Sequence, residues 1–183
     1  MGKSGKGVSR RDFLAFWRRP SAPPAPSLPV RLRPPGALPE LAFVDTCQRC
    51  GRCVAACPAE AIRPLGAAWG TAGGTPAIDA RQTPCVVCSG LDCTHVCPTG
   101  ALRPLAAAAE IAMGTAVLDE RCLTYRGEAC DACLKSCPLP GAIWFGPEGR
   151  AQVDVSRCVG CGLCEHVCPM EPTAIRVVPR LAS

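Results

Sequence analysis

Cys158-Val-Gly-Cys161-Gly-Leu-Cys164-Glu-His-Val-Cys168-Pro169 reads C-x2-C-x2-C-x3-C-P, and the reading of the whole chain turns on that spacing. The pattern returns unchanged at Cys47, Cys50, Cys53 and Cys57-Pro58. It returns stretched at Cys85, Cys88, Cys93 and Cys97-Pro98, and again at Cys122, Cys130, Cys133 and Cys137-Pro138. These four groups use all 16 cysteines. The flanks repeat as well. An apolar residue and Asp precede each group (Val44-Asp45, Ile78-Asp79, Leu118-Asp119, Val153-Asp154). A small-apolar pair follows each Cys-Pro (Ala61-Ile62, Ala101-Leu102, Ala142-Ile143, Ala174-Ile175). The unit therefore reads as short strand, cysteine loop, one helical turn, Cys-Pro, short strand. Gly70-Thr-Ala-Gly-Gly74 and Gly146-Pro-Glu-Gly149 suit hairpin turns between units. Residues 104–113, dominated by Ala, predict the one further helix.

Two-residue gaps let a tight loop present three thiolates to three corners of one [4Fe–4S] cube. The fourth cysteine sits too far along to close that cube, and in two-cluster proteins it ligates the neighbouring cluster. All sixteen cysteines are therefore the expected iron ligands of four [4Fe–4S] clusters. Structural zinc uses two C-x2-C pairs per ion, and a disulfide framework also uses an even cysteine count. Four triplets, each followed by Cys-Pro, favour clusters over both. Gly51, Gly160 and Gly162 allow the close turns that bring amide N–H groups to the sulfurs. His95 and His166 each stand two residues before a fourth cysteine, where Lys135 stands in the third group. They read as polar residues on a short helix, and Trp69, Tyr125 and Trp144 as packing around clusters.

Composition points the same way. Gly and Pro make up 38 of 183 residues and only eight are aromatic, so side-chain packing alone gives a thin core and the cysteines serve as staples. Residues 1–40 carry eight Lys/Arg against two Asp/Glu; the remainder carries 12 against 13. Four oxidised clusters with their thiolates would bring that remainder to about −9. The basic character belongs to the tail, and no basic stripe or stacking platform points to nucleic acid. Leu105–Ala109 is broken by Glu110 and is far shorter than a membrane span. Nor is there a nucleotide loop, a catalytic triad or a substrate-sized insertion. The expectation is an electron carrier, not an enzyme, with no small-molecule substrate.

Ser9-Arg10-Arg11-Asp12-Phe13-Leu14 resembles a twin-arginine export signature, but Leu14-Ala-Phe-Trp17 runs straight into Arg18-Arg19-Pro20. The apolar stretch a signal peptide needs is missing, so the expectation is a cytoplasmic protein, with the periplasm as the alternative. Phe13, Phe16 and Trp17 share one face of a short basic helix that Ser9 can cap. Through residues 9–19 it could dock on a partner or touch an anionic membrane surface. Residues 20–40 read as a Pro-rich linker. The chain thus divides into a tail, 1–40, and a four-cluster domain, 41–183. Its fold class is α+β, two interlocked ferredoxin-like modules of two clusters each. The first and fourth groups are regular and the second and third stretched. This suggests an outer module, about 41–66 plus 150–183, around an inner one, about 74–147. Sequential pairing is the competitor, since linker lengths do not exclude it.

Several stretches resemble the NapG/MauM ferredoxin-type family: Arg31-Leu-Arg-Pro-Pro-Gly-Ala37, the four-residue gap of the second group, and Ala112-Met-Gly-Thr-Ala-Val-Leu118. Cys122-Leu-Thr-Tyr-Arg-Gly-Glu-Ala-Cys130-Asp-Ala-Cys133 and Ile175-Arg-Val-Val-Pro179 belong with them. The resemblance spans roughly residues 30–181. It implies electron transfer through four [4Fe–4S] clusters, in association with a nitrate-reductase-type molybdenum system or methylamine utilisation. It also implies redox protein partners: a reductase, a quinol-oxidising membrane protein, or both. The tail is more similar to that of NapF, which implies the alternative of a cytoplasmic maturation factor for such a reductase. Resemblance to four-cluster subunits of molybdenum oxidoreductases implies the outer/inner ligand sets. Those sets are Cys47, Cys50, Cys53 with Cys168; Cys158, Cys161, Cys164 with Cys57; Cys85, Cys88, Cys93 with Cys137; and Cys122, Cys130, Cys133 with Cys97.

Overall fold

The computed structural model describes residues 31–180, so the Ser9–Arg19 helix and the first part of the expected linker lie outside the described residues. Short elements alternate with loops. In the first half these are α1 (Glu40–Thr46), α2 (Arg52–Ala55), β1 (Ile62–Pro64), β2 (Pro76–Ile78) and α3 (Asp92–His95). In the second they are β3 (Gly114–Leu118), α4 (Ala132–Ser136), β4 (Ile143–Phe145), β5 (Ala151–Val153), α5 (Leu163–His166) and β6 (Ile175–Pro179). None of the described helices is long and apolar enough to cross a membrane.

The strands pair within each half. β1 runs antiparallel to β2, with Ile62 opposite Ile78, and Ala37 bridges Leu102 beside this hairpin. In the second half β4 and β5 form the hairpin, with Ile143 opposite Val153, and β3 pairs antiparallel with β6, from Gly114↔Pro179 to Leu118↔Ile175. Helix α2 packs on α3 and α4 on α5. The first cysteine group therefore folds back on the second and the third on the fourth. This corrects the outer/inner arrangement. A hairpin links β1 directly to β2, turning near Gly70–Gly74, and another links β4 to β5 through Gly146–Gly149. Each brings neighbouring groups together at a small loop-closure cost, where pairing the first group with the fourth would close a loop of most of the chain.

Three local expectations change. Residues 31–40 are not a linker but a strap on the first module. Leu32 is buried and bonded both ways to Ile78, while Pro34 and Pro35 are fully buried. Gly36 holds φ +76°, and a Cβ there would lie 2.2 Å from the Arg103 carbonyl oxygen, so only glycine passes. Second, Val44-Asp45 lies in α1 instead of a strand. Pro39 precedes the helix and Glu40 occupies its first turn, which suits a helix start, and Phe43 is thereby turned into the core, fully buried. Third, residues 104–113 yield only the 3₁₀ turn Ala108–Glu110, with the Glu110 carboxylate accepting the Ala106 N–H at 3.1 Å. Ala106, Ala107 and Ala109 are exposed. An alanine-rich helix this short has no apolar stripe to bury and is marginal in water.

Two small cores result. Phe43, Ile62, Ile78, Leu102, Ile111 and Met113 pack in the first, and Ala116, Ile143, Ala151 and Ile175 in the second. Cysteines contribute to both, as the thin-core reading of the sequence anticipates.

Candidate metal centres

Every cysteine loop is built the same way. The third cysteine sits in the first turn of a short helix: Cys53 in α2, Cys93 in α3, Cys133 in α4 and Cys164 in α5. The residue before three of those helices is left-handed, namely Gly51 (φ +74°), Leu91 (φ +45°) and Gly162 (φ +89°). The residue before the second cysteine is left-handed in three loops: Arg49 (φ +55°), Val87 (φ +52°) and Gly160 (φ +73°). Left-handed backbone in Arg and especially in β-branched Val is costly and needs a compensating gain. The gain is visible at Arg49, whose N–H donates to Cys47 Sγ at 3.4 Å, and at Val87, whose N–H points at the Cys85 sulfur. Successive amides turned toward one concavity form an anion-binding nest.

The sulfurs converge in four sets. Cys47, Cys50 and Cys53 line a cavity with Cys97 (site I). Cys85, Cys88 and Cys93 line another with Cys57 (site II). A third holds Cys122, Cys130 and Cys133 with Cys168 (site III). Cys158, Cys161 and Cys164 have Cys137 beside them (site IV), since the charge of Cys137 acts on both Cys161 and Cys164. The sulfurs thus converge sequentially, and Cys57, Cys97, Cys137 and Cys168 each stand with a different triplet from the one the outer/inner ligand sets gave them.

The donor chemistry suits iron–sulfur clusters. All sixteen cysteines are free thiols. Among the described residues no three His, Cys, Asp or Glu side chains come close enough to grip one metal ion. The sulfurs stand around a cavity, which gives each iron of a cluster one thiolate and is not how a single tetrahedral zinc is held. Burial pushes Cys53, Cys85 and Cys133 up to about 11 and Cys93 up to about 12, with neighbouring cysteines adding to the rise. Burial also raises Cys161 and, most of all, Cys164. Cys97 goes the other way: burial raises it, but the Leu102 amide, the Thr99 hydroxyl and the Thr99 and Gly100 amides together outweigh that. Buried thiols facing one another give up their protons at neutral pH only when metal supplies the balancing positive charge.

Side chains around the sites do more than the sequence signalled. His95 reaches the Leu105 carbonyl at 3.1 Å and His166 the Arg81 carbonyl at 2.9 Å, so both tether backbone as well as decorate a helix. Lys135 pairs with Asp131 at 2.8 Å. Tyr125 packs on the second core, its hydroxyl donating to the Ala151 carbonyl, whereas Trp144 alternates outward from β4 and is 39% exposed. Trp144 is therefore not packing around a cluster. Thr99 and Thr124, each two residues after a ligand, place hydroxyls 3.7 Å from Cys97 Sγ and 3.3 Å from Cys122 Sγ. The recurrent Asp also acquires a role. Asp79, Asp119 and Asp154 each accept the N–H two residues on, at Arg81, Arg121 and Ser156, and so open the turn into the next cysteine loop. Arg121 beside Asp119 holds that carboxyl down at about 2. The repeated Asp-x-Arg of Asp79–Arg81 and Asp119–Arg121 was the signal for both arginines.

Comparison with known proteins agrees with this construction. The 4Fe-4S dicluster domain family matches residues 46–101 and 126–171, one match for each half. The ferredoxin-type protein NapG of Escherichia coli (strain K12) is 42% identical over 164 residues, covering 82% of this chain and 71% of that protein. The methylamine utilization ferredoxin-type protein MauM of Methylobacillus flagellatus is 45% identical over 168 residues, 86% of this chain and 71% of that one. NapG of Haemophilus influenzae is 38% identical over 165 residues, 82% and 59% respectively. With its cysteine loops, its paired halves and this identity over most of its length, the chain belongs to the NapG/MauM ferredoxin-type family of iron–sulfur electron-transfer proteins.

Proposed function

We propose that this chain carries electrons through four [4Fe–4S] clusters arranged in a line, I–II–IV–III, between two redox proteins. The observation that carries the reading is the convergence, in three cavities, of three cysteines of one group with the fourth of its neighbour, which leaves Cys137 for Cys158, Cys161 and Cys164. When bound, each cluster supplies a one-electron centre. The order follows from which cysteines feel each other. Cys93 of site II senses Cys53 of site I, and Cys164 of site IV senses Cys133 of site III. The two halves meet where the Cys85 N–H donates to the Cys161 carbonyl at 3.0 Å, joining site II to site IV.

The chain's own residues hold the ligands, donate N–H groups to the sulfurs and keep water away from the inner sites. The two ends are the more open. The loop Gln48–Arg52, with Cys50, is exposed at site I, and Phe145 is 38% exposed near Cys130 at site III. Electrons would enter at one end from a quinol-oxidising membrane protein and leave at the other for a molybdenum reductase of the nitrate-reductase type, on the cytoplasmic side. The test is anaerobic purification with iron and sulfide counts. About sixteen of each per chain are expected, with a brown colour bleached by dithionite. Cys161→Ser should then stop end-to-end electron flow while partner binding persists. A colourless chain holding zinc refutes the reading.

A further inference from the structure

We propose that Arg81 is a positioning residue that locks the two modules together and, as a fixed cation, raises the reduction potentials at sites III and IV. The proposal rests on the four-cluster reading above.

Arg81 belongs to the first module, three residues past β2 and four before Cys85 of site II. Its side chain nevertheless reaches into the second. Nη1 lies 3.0 Å from the carbonyl oxygens of Glu165, His166 and Cys168, and Nη2 lies 3.0 Å from the Glu171 carboxylate. The first two carbonyls close α5 and have no partner within that four-residue helix, so the guanidinium satisfies acceptors the fold leaves open. The contact is reciprocal, because His166 Nδ1 stands 2.9 Å from the Arg81 carbonyl. Beside it the backbones nearly touch: a Cβ on Gly162 would lie 2.5 Å from Ala80 Cβ. The forked, planar guanidinium is the one side chain able to serve four such acceptors at once.

The same geometry places a permanent charge among ligands. Cys168 holds site III, and Glu165 and His166 follow Cys164 of site IV directly. Each electron added to a centre makes it more negative, so a nearby cation favours the reduced form and raises the potential. Glu171 opposes this only in part, because its side chain is 82% exposed and that of Arg81 36% exposed, so the carboxylate acts more weakly than the guanidinium. Sites I and II should feel the charge less than sites III and IV.

The experiment compares the full chain, purified anaerobically, with Arg81→Gln and Arg81→Lys by iron count, EPR-monitored redox titration and thermal unfolding. With iron unchanged, Arg81→Gln should lower two of the four midpoint potentials and lower Tm. Arg81→Lys should restore the potentials while Tm stays low, because an ammonium keeps the charge but cannot span the four acceptors. Unchanged potentials in Arg81→Gln overturn the proposal, as does an equal fall in all four. If Arg81→Gln cannot hold its clusters, Glu171→Gln decides: removing the opposing carboxylate should raise the same two potentials, and no shift overturns the proposal. A wild-type chain short of four clusters' iron refutes the four-cluster reading and this proposal with it; a full count with unmoved potentials refutes only the role of Arg81.

Discussion

Gly51 and Gly160 share a left-handed backbone, at φ +74° and +73°, but not surroundings. A Cβ on Gly51 would meet nothing within 4 Å, whereas one on Gly160 would lie 2.4 Å from the Gly114 nitrogen. Gly51→Ala should therefore cost only the left-handed penalty, about 1–2 kcal/mol. Gly160→Ala should cost clearly more, since two backbones must separate, and this should appear as the larger fall in Tm of the anaerobic holoprotein. Equal losses would mean the loop against β3 yields freely. The thiols make a second prediction at this scale. With Cys53 at about 11 and Cys93 at about 12, chiefly through burial, these two thiols keep their protons at neutral pH in the metal-free chain. Cluster assembly then releases protons, so iron incorporation into the metal-free chain should rise as pH is raised from about 7 to about 9. Incorporation indifferent to pH would contradict the protonated starting state.

The strap at residues 31–40 decides more than its length suggests. Arg33 donates to Glu40, to the Thr75 hydroxyl and to the Pro76 carbonyl, and its guanidinium lies 4.8 Å from the centre of the Phe43 ring. It therefore closes the first core from outside, joining α1 to the start of β2. A chain beginning at residue 31 should keep its full iron content, and one beginning at residue 41 should lose about half, the share of the first module. Full iron in the shorter chain would return residues 31–40 to the status of a linker. The sequence revealed the cysteine loops, the one-turn helices and both hairpins, because spacing and turn glycines are local signals. It hid the strap, because prolines at 34 and 35 look like linker residues until a core is present to bury them. It hid the helical start of the first repeat for a related reason: Val44-Asp45 matches the other three repeats, but Pro39 and Glu40 ahead of it begin a helix.

At the scale of the molecule, the spacing of the four groups pointed to a pairing that the cavities do not show. Two regular and two stretched groups suggested like with like, yet loop length varies without touching the partner choice. The seven residues between Cys122 and Cys130 fold as a 3₁₀ turn, Leu123–Arg126, that closes on itself through the Glu128 N–H and the Leu123 carbonyl. What sets the partner is the hairpin following each odd-numbered group, and it predicts a specific pattern of loss. Removing two ligands of one centre should release no more iron than removing one, about four per chain, whereas ligands of two centres should release about eight. With Cys57 at site II, Cys57→Ser combined with Cys85→Ser should lose about as much iron as Cys85→Ser alone, and combined with Cys158→Ser about twice as much. Under the outer/inner arrangement Cys57 and Cys158 would hold the same cluster and the two results would exchange. Iron analysis of the three variants decides between them without any redox partner. It also tests the line I–II–IV–III, because that order exists only if each module keeps its own two clusters.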